Sequence, residues 1–182
     1  MKFEKYFKNY NKSIFNLLND LDISLIDKSV ELIQECKKNK GKTYIVGNGG
    51  SSSIASHVSV DFTKVANVPS FTFNNSNLIT CFANDFGHDN WIKEAVKAYM
   101  REKDILILIS SSGNSNNIIN AAKYCKENNI SSITLSGFNI NNPLSKLGNI
   151  NIHVNSNKYN FIEMSHHIIL LSIVDIFANK KN

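Results

Sequence analysis

The feature that most constrains this chain is a short apolar run that ends in a glycine turn and continues into a helix. Residues 44–46 are typical of a buried strand, because β-branched and aromatic residues suit an extended backbone. Three of residues 47–50 are glycines, which adopt backbone angles that other residues resist. Ser51–Ser53 are N-cap candidates for a helix with an apolar side that contains Ile54, Val58, Phe62 and Val65.

A strand, a glycine turn and a helix N-terminus in this order predict an anion site. Unpaired amides and the positive end of the helix dipole point outward at such a junction. The same residues are equally well explained by a tight turn with a serine cap, since they match neither the dinucleotide fingerprint nor the Walker loop.

A second loop of the same kind favours the anion site. Residues 105–109 are continuously aliphatic, as in a fully buried strand, and the loop after them consists of Ser110, Ser111, Ser112, Gly113, Asn114 and Ser115. Loops at the carboxyl ends of parallel strands face a common crevice. The sequence therefore predicts one binding site for a phosphate group.

His57 and Asp61 lie four residues apart on the first predicted helix, so their side chains share one face. Such a pair, considered alone, is typical of a surface ion pair. Its apolar neighbours and the adjacent phosphate-type loop favour chemistry on a phosphorylated small molecule.

Strands alternate with helices along the chain, which predicts an α/β fold: a five-stranded parallel sheet with helices on both faces, doubly wound and flavodoxin-like, behind an N-terminal helical pair. We assign residues 1–182 to a single domain, with residues 1–40 as helices for oligomer packing and residues 41–182 as the α/β part. The first helix has an apolar seam of Phe3, Phe7, Tyr10, Ile14, Leu17 and Leu21. This seam packs either on the chain's own core or on another subunit, and its length favours the subunit.

Composition limits the partners and the compartment. The net charge of +5 comes from scattered basic residues, so no nucleic-acid site is required. The three cysteines are far apart and odd in number, which suits a reducing compartment. We see neither a signal peptide nor a stretch of membrane-spanning length, and expect a cytoplasmic protein without a membrane partner.

The motifs GNGGS with the following His57 and Asp61, SSSGNS at 110–115, and ANDFGHD at 83–89 resemble the SIS (sugar isomerase) domain. Within it the chain is similar, over nearly its whole length, to phosphoheptose isomerases. These enzymes convert sedoheptulose 7-phosphate to a glycero-manno-heptose 7-phosphate. The resemblance implies an aldose–ketose isomerase that forms homotetramers and supplies lipopolysaccharide or capsule synthesis. The alternative is a non-catalytic SIS module that binds a sugar phosphate or a protein partner such as a replication initiator.

The resemblance also implies which residues bind the substrate. The first loop and the serine cluster match phosphate-binding positions, and the Asn-Asp pair after Ala83 matches residues that hydrogen-bond sugar hydroxyls. The full predicted set is Asn48, Gly49, Gly50, Ser51, Asn84, Asp85, Ser110, Ser111, Ser112, Ser115 and Glu163.

The family resemblance further implies a zinc ion, for which the predicted ligands are His57, Asp61, Glu163 and His166. Asp61 stands where the family has a glutamate that is both ligand and base, and Glu163 stands where it has a glutamine. The histidine that the family has eight residues beyond Glu163 is replaced by Leu171, which, like Asp61, favours the non-catalytic alternative.

For catalysis we predict Asp61 as the base that moves a proton between two carbons. His166 or a metal ion is the predicted electrophilic partner that stabilises charge on oxygen. For the adjacent His167 a packing role at a subunit interface is preferred.

Overall fold

Five parallel strands form one sheet, in the order β2-β1-β3-β4-β5, in the computed structural model, which describes residues 2–179. Residues 1 and 180–182 of the predicted domain lie outside the described residues. The strands are β1 (Thr43–Gly47), β2 (Ser70–Thr72), β3 (Ile105–Ile109), β4 (Ser131–Ser136) and β5 (Ile150–His153). All neighbouring pairs are parallel, which confirms the predicted doubly wound α/β fold.

Helices connect the strands and cover both faces of the sheet. They are α1 (Lys2–Asn19), α2 (Ile23–Lys38), α3 (Gly50–Lys64), α4 (Ser76–Phe86), α5 (Trp91–Tyr99), α6 (Asn116–Glu127) and α7 (Tyr159–Asn179), with a short 3-10 helix at Pro143–Lys146.

The sheet is buried on both sides, which explains the continuous apolar strands. In β3, Ile105, Ile107 and Ile109 pack in one core cluster with residues of α2, α3 and α7. The alternating Leu106 and Leu108 pack in the second cluster with residues of α5 and α6. Successive side chains of a strand point to opposite faces, so both sets must be apolar.

The apolar seam of α1 divides into two parts. Leu17 and Leu18 pack partly buried against the core cluster, and the helix has no fully buried residue. Nearer its beginning Phe3 is 84% exposed and Phe7 is 65% exposed. Within residues 2–179, Phe3 and Phe7 at the beginning of the seam are therefore left largely uncovered.

Residues 83–89 contain an amide, two acids and a histidine, which predicts a loop, but α4 continues through Asn84 and Asp85 to Phe86. Nothing in Ala83–Phe86 breaks a helix. Gly87 ends it with φ 77°, and its amide donates to the Ala83 carbonyl at 3.0 Å. The predicted sugar-binding pair therefore lies in the last turn of a helix.

Helix α7 departs from the expectation that no stretch has membrane-spanning length. Its 21 residues are long and apolar enough to cross a membrane by length and composition. Half of its most apolar window is nevertheless buried inside the molecule, and α7 packs against α1, α2 and α3. Its apolarity is therefore accounted for by its position in the core.

Candidate active site

The two predicted loops meet at one edge of the sheet. β1 and β3 are adjacent and in register, with Gly47 opposite Ile109, so the loops that follow them start side by side. From β1 the chain continues to β2 on one side of β1, and it then returns to β3 on the other side of β1. Ligands of doubly wound sheets bind at this topological switch point.

A cleft of about 150 Å³ lies between the loops. It is lined by Asn48, Ser51, Ile109, Ser110, Ser111, Ser112, Ser115, Tyr159 and Glu163. Seven of these nine residues belong to the predicted substrate-binding set. Sequence reasoning did not select Ile109 and Tyr159, since an aliphatic strand residue and a tyrosine at a helix start carry no phosphate-binding signal.

The first loop is built on glycine rather than on a serine cap. Gly49 is the N-cap of α3, with φ 54° and no side-chain capping hydrogen bond. The Ser51 hydroxyl is therefore not used as a cap, and this residue is buried at the cleft. The first amides of a helix have no intrahelical acceptor, which leaves them available to an anion.

Gly50 has a different reason to be glycine. A Cβ atom at this position would collide with the Glu163 carboxylate, which lies directly against the backbone. The glycine thus allows the first turn of α3 and the side chain from α7 to approach each other at the cleft.

The second loop holds an unpaired hydroxyl. Ser111 is 6% exposed, and its Oγ has no hydrogen-bond partner within the described residues. Nearby, Ser110 Oγ donates to Ser115 Oγ at 3.2 Å. A buried polar atom without a partner is costly, so Ser111 indicates a site for a ligand that accepts hydrogen bonds.

Replacing Ser111 with alanine should weaken the binding of a sugar phosphate about tenfold, because a hydrogen bond to a charged group is worth about 1.5–3 kcal/mol. Stability without ligand should stay the same or rise, since the hydroxyl is unpaired there. Ser132→Ala is the matched control: its hydroxyl is also buried and unpaired, but lies in β4 outside the cleft. Calorimetric titration with sedoheptulose 7-phosphate measures both variants, and equal affinities would reject the role of Ser111.

An amide pair ties the two halves of the site together. Asn48 Nδ2 donates to Asn117 Oδ1 at 2.9 Å, and Asn117 Nδ2 donates back to Asn48 Oδ1 at 2.9 Å. Asn117 lies in the first turn of α6 and is buried. The pair fixes the first loop against the helix that follows the second loop. Sequence reasoning missed Asn117, because one asparagine among many gives no distinguishing signal.

Three polar side chains meet where α3 packs on α7. His57 Nε2 lies 3.2 Å from Asp61 Oδ2, and His57 Nδ1 lies 2.8 Å from His167 Nε2. The two imidazole rings are nearly perpendicular, with centroids 5.0 Å apart. Burial and the neighbouring His57 lower the pKa of His167, and the Asp61 carboxylate partly offsets this.

The structure places His166 away from this group. Its side chain is fully buried, and its Nε2 bonds the Ser136 carbonyl oxygen at 3.2 Å. Successive residues of a helix point about 100° apart, so only one of His166 and His167 can face α3. The histidine beside His57 and Asp61 is therefore His167, for which a packing role had been preferred.

The predicted zinc ligands are not assembled. Zinc requires three or four donors with free lone pairs around one point. Within residues 2–179, no group of three His, Cys, Asp or Glu side chains has an arrangement that would hold a metal. Both ring nitrogens of His57 are already engaged, Glu163 lies against Gly50, and Leu171 has no donor atom. These residues do not fit the zinc ion that the resemblance implies.

Asn84 and Asp85 also stand apart from the cleft. Asn84 Nδ2 donates to Asp85 Oδ1 at 3.0 Å, and both residues lie outside the cleft lining. Within one chain they contribute no contact to the phosphate-type site.

Comparisons with known proteins identify the domain and the family of this chain. The sequence profile of the SIS domain matches residues 5–137. Phosphoheptose isomerase from Buchnera aphidicola subsp. Acyrthosiphon pisum is 31% identical over 181 residues, which cover 96% of this chain and 93% of that protein. The chain belongs to the phosphoheptose isomerase family.

Other members of the family show the same likeness. Phosphoheptose isomerase 2 of Campylobacter jejuni is 34% identical over 66% of this chain and 64% of its own length. A phosphoheptose isomerase structure from Francisella tularensis superposes with a TM-score of 0.85 at 25% identity, over 98% of this chain and 97% of that one. The structure from Neisseria gonorrhoeae shares the fold, with a TM-score of 0.88 at 24% identity over 98% and 97% of the two chains.

Proposed function

We infer that this chain is an aldose–ketose isomerase that converts sedoheptulose 7-phosphate to D-glycero-D-manno-heptose 7-phosphate. The observation that supports this best is the polar cleft at the switch point of the sheet, with the His57–Asp61 pair farther along the helix that begins there. Family membership supports the same substrate. The product is a precursor for the heptose of surface polysaccharides.

The spacing of the two sites suits a long phosphorylated sugar. In α3, His57 is six positions after Ser51 of the cleft, which corresponds to about 9 Å along the helix axis. In a heptose 7-phosphate the phosphate is at one end of the carbon chain, and the reacting carbons C1 and C2 are at the other. A phosphate in the cleft therefore leaves the reacting end free to approach the histidine pair.

The reaction needs only proton transfers. A base removes a proton from C1 of the ketose, the C–H electrons form a C1–C2 double bond, and the carbonyl oxygen on C2 takes up a proton. The resulting enediol loses the proton of its C1 hydroxyl and gains one at C2, which leaves an aldehyde at C1. All atoms of the ketose are retained in the aldose.

Asp61 is the proposed base of this chain. Its carboxylate accepts protons and is held by His57, while its side chain remains 29% exposed and accessible to a substrate. Enediol formation also requires electrophilic assistance at the developing oxyanion.

Incubation of the purified chain with sedoheptulose 7-phosphate in D₂O tests the function. We expect NMR to show an aldose 7-phosphate with deuterium at C2, because the transferred proton exchanges with solvent. Unphosphorylated sedoheptulose is the control substrate and should react poorly. Binding of the sugar phosphate without turnover would instead support the non-catalytic module, the reading that Asp61 and Leu171 favoured from sequence.

We also propose that the chain works in the cytoplasm as a homotetramer. The support is the set of exposed aromatic residues of α1, which are Phe3, Tyr6, Phe7 and Phe15. Exposed apolar patches of this kind mark contact surfaces, and closed symmetric assemblies are the usual way to cover them.

Replacing Phe3 and Phe7 together with aspartate should dissociate the oligomer, because two charges would be buried in an apolar contact. Asn9→Asp with Asn11→Asp is the control, since it adds the same charge to exposed polar positions of α1. Light scattering at matched concentrations gives the mass of each variant. A monomeric wild type would contradict the assembly.

A further inference from the structure

One face of α7 contains both the position of the lost family histidine and the histidine that meets His57. Glu163, His167 and Leu171 are spaced four residues apart, so they lie along one side of the helix. His167 is one turn before Leu171 and contacts α3, whereas Leu171 packs partly buried against the core cluster. The histidine of this face has therefore shifted by one turn relative to the family pattern.

The hydrogen bonds of His57 leave it no lone pair for a metal. A carboxylate accepts hydrogen bonds and cannot donate, so His57 Nε2 carries a proton toward Asp61, 3.2 Å away. In a neutral ring the remaining nitrogen, Nδ1, is an acceptor, and its lone pair faces His167 Nε2 at 2.8 Å. Asp61, His57 and His167 thus form a continuous hydrogen-bonded row.

We propose that this row replaces the metal centre, with His167 as the residue that positions His57, and that the isomerase requires no bound metal ion. The inference rests on the proposed function. In the family pattern, a shared ion would hold side chains from α3 and α7 together. Here a direct bond between two imidazoles joins the same two helices and fixes the orientation of the ring that holds Asp61.

The row also changes the local charge. A divalent cation would bring two positive charges to the reacting end of the sugar, whereas the N–H donors of the row are already used for its own bonds to Asp61 and His57. The site therefore depends on the geometry of its hydrogen bonds, and a small displacement of His57 should be costly.

Calorimetric titration of the chelator-treated full chain with zinc tests directly whether the wild type binds a metal ion. We expect no stoichiometric binding by the wild type. The swap variant, His167→Leu with Leu171→His, releases His57 Nδ1 and moves a histidine to the family position. It should bind zinc at least about tenfold more tightly than the wild type. Asp175→Asn, on an exposed position of the same helix, is the control and should match the wild type. One tightly bound zinc per wild-type chain, lost in His57→Ala, would overturn the inference.

Kinetics on sedoheptulose 7-phosphate tests the positioning role. His167→Leu should lower kcat about 10- to 100-fold with little change in KM, as expected for a displaced catalytic group. His167→Gln should recover part of the loss, because its amide can donate to His57 Nδ1. Turnover that depends on added zinc, or no rescue by glutamine, would contradict the proposal. If no variant turns over, the proposed function fails, and the zinc titration still decides whether the row excludes a metal.

Discussion

Replacing Asp61 with asparagine should lower the turnover of sedoheptulose 7-phosphate about 10²- to 10⁴-fold, the range by which a general base contributes. Asparagine has nearly the same shape, and its side-chain oxygen can still accept from His57 Nε2, so the hydrogen-bonded row should remain. The asparagine amide, however, cannot take a proton from C1 of the ketose. The affinity for the sugar phosphate should be nearly unchanged, because the cleft that contains Ser111 is formed by other residues.

Steady-state kinetics separates a loss of turnover from a loss of affinity, since kcat should fall while KM stays close to the wild-type value. Asp175→Asn is the control for the loss of one negative charge. Asp61→Glu restores the family residue and extends the carboxylate by one methylene, so it should retain much of the activity. Full activity in Asp61→Asn would show that another group is the base.

The fold could be predicted because burial on both faces leaves a strong signal. A parallel strand covered by helices must be apolar at every position, and Ile105–Ile109 meets that condition without a break. The glycines and serines after β1 and β3 then identify the edge at which ligands bind. Both signals are local in sequence, so they needed no knowledge of packing.

The composition of the cleft was also predictable, whereas its internal contacts were not. A cluster of serines after a buried strand favours a phosphate site when a second loop of the same kind lies beside it. The Asn48–Asn117 pair joins residues that are 69 positions apart, and neither local sequence indicates which residue is the hydrogen-bond partner. The extent of α4 was missed for a related reason, because the motif around Asn84 suggested a loop although the first helix-ending residue was Gly87.

The choice between His166 and His167 shows what spacing can decide. In the family pattern a histidine lies eight residues beyond the position of Glu163. On a helix, the positions four and eight residues beyond Glu163 lie on nearly the same face, whereas the position three residues beyond it points away from the position at eight. His167 is four residues beyond Glu163, and His166 is three residues beyond it. Spacing relative to the family histidine therefore favours His167, whereas the prediction from sequence took His166, one turn after Glu163, and gave His167 a packing role.

His166, which bonds the Ser136 carbonyl in the core, should make the protein sensitive to acid. Burial lowers the pKa of His166 from 6.5 to about 4; its hydrogen bond to Ser136 acts in the opposite sense, and His153 lowers it further. The ring is therefore neutral in the folded protein, while the unfolded chain takes up a proton once the pH falls below 6.5. Stability from this group is complete above that pH and is lost as the pH falls toward 4.

The difference between 6.5 and about 4 corresponds to a loss of about 3 kcal/mol, or roughly a hundredfold in the folding equilibrium. Urea unfolding at a series of pH values between 6.5 and 4 measures this loss, at one protein concentration because the proposed oligomer would contribute to stability. His166→Gln can still donate to the Ser136 carbonyl but does not titrate, so its stability should fall less over this range. His88→Gln, at an exposed position, should keep the wild-type slope. Parallel pH profiles for the wild type and His166→Gln would show that the acid sensitivity comes from other groups, such as His153 and His167, whose pKa values burial also lowers.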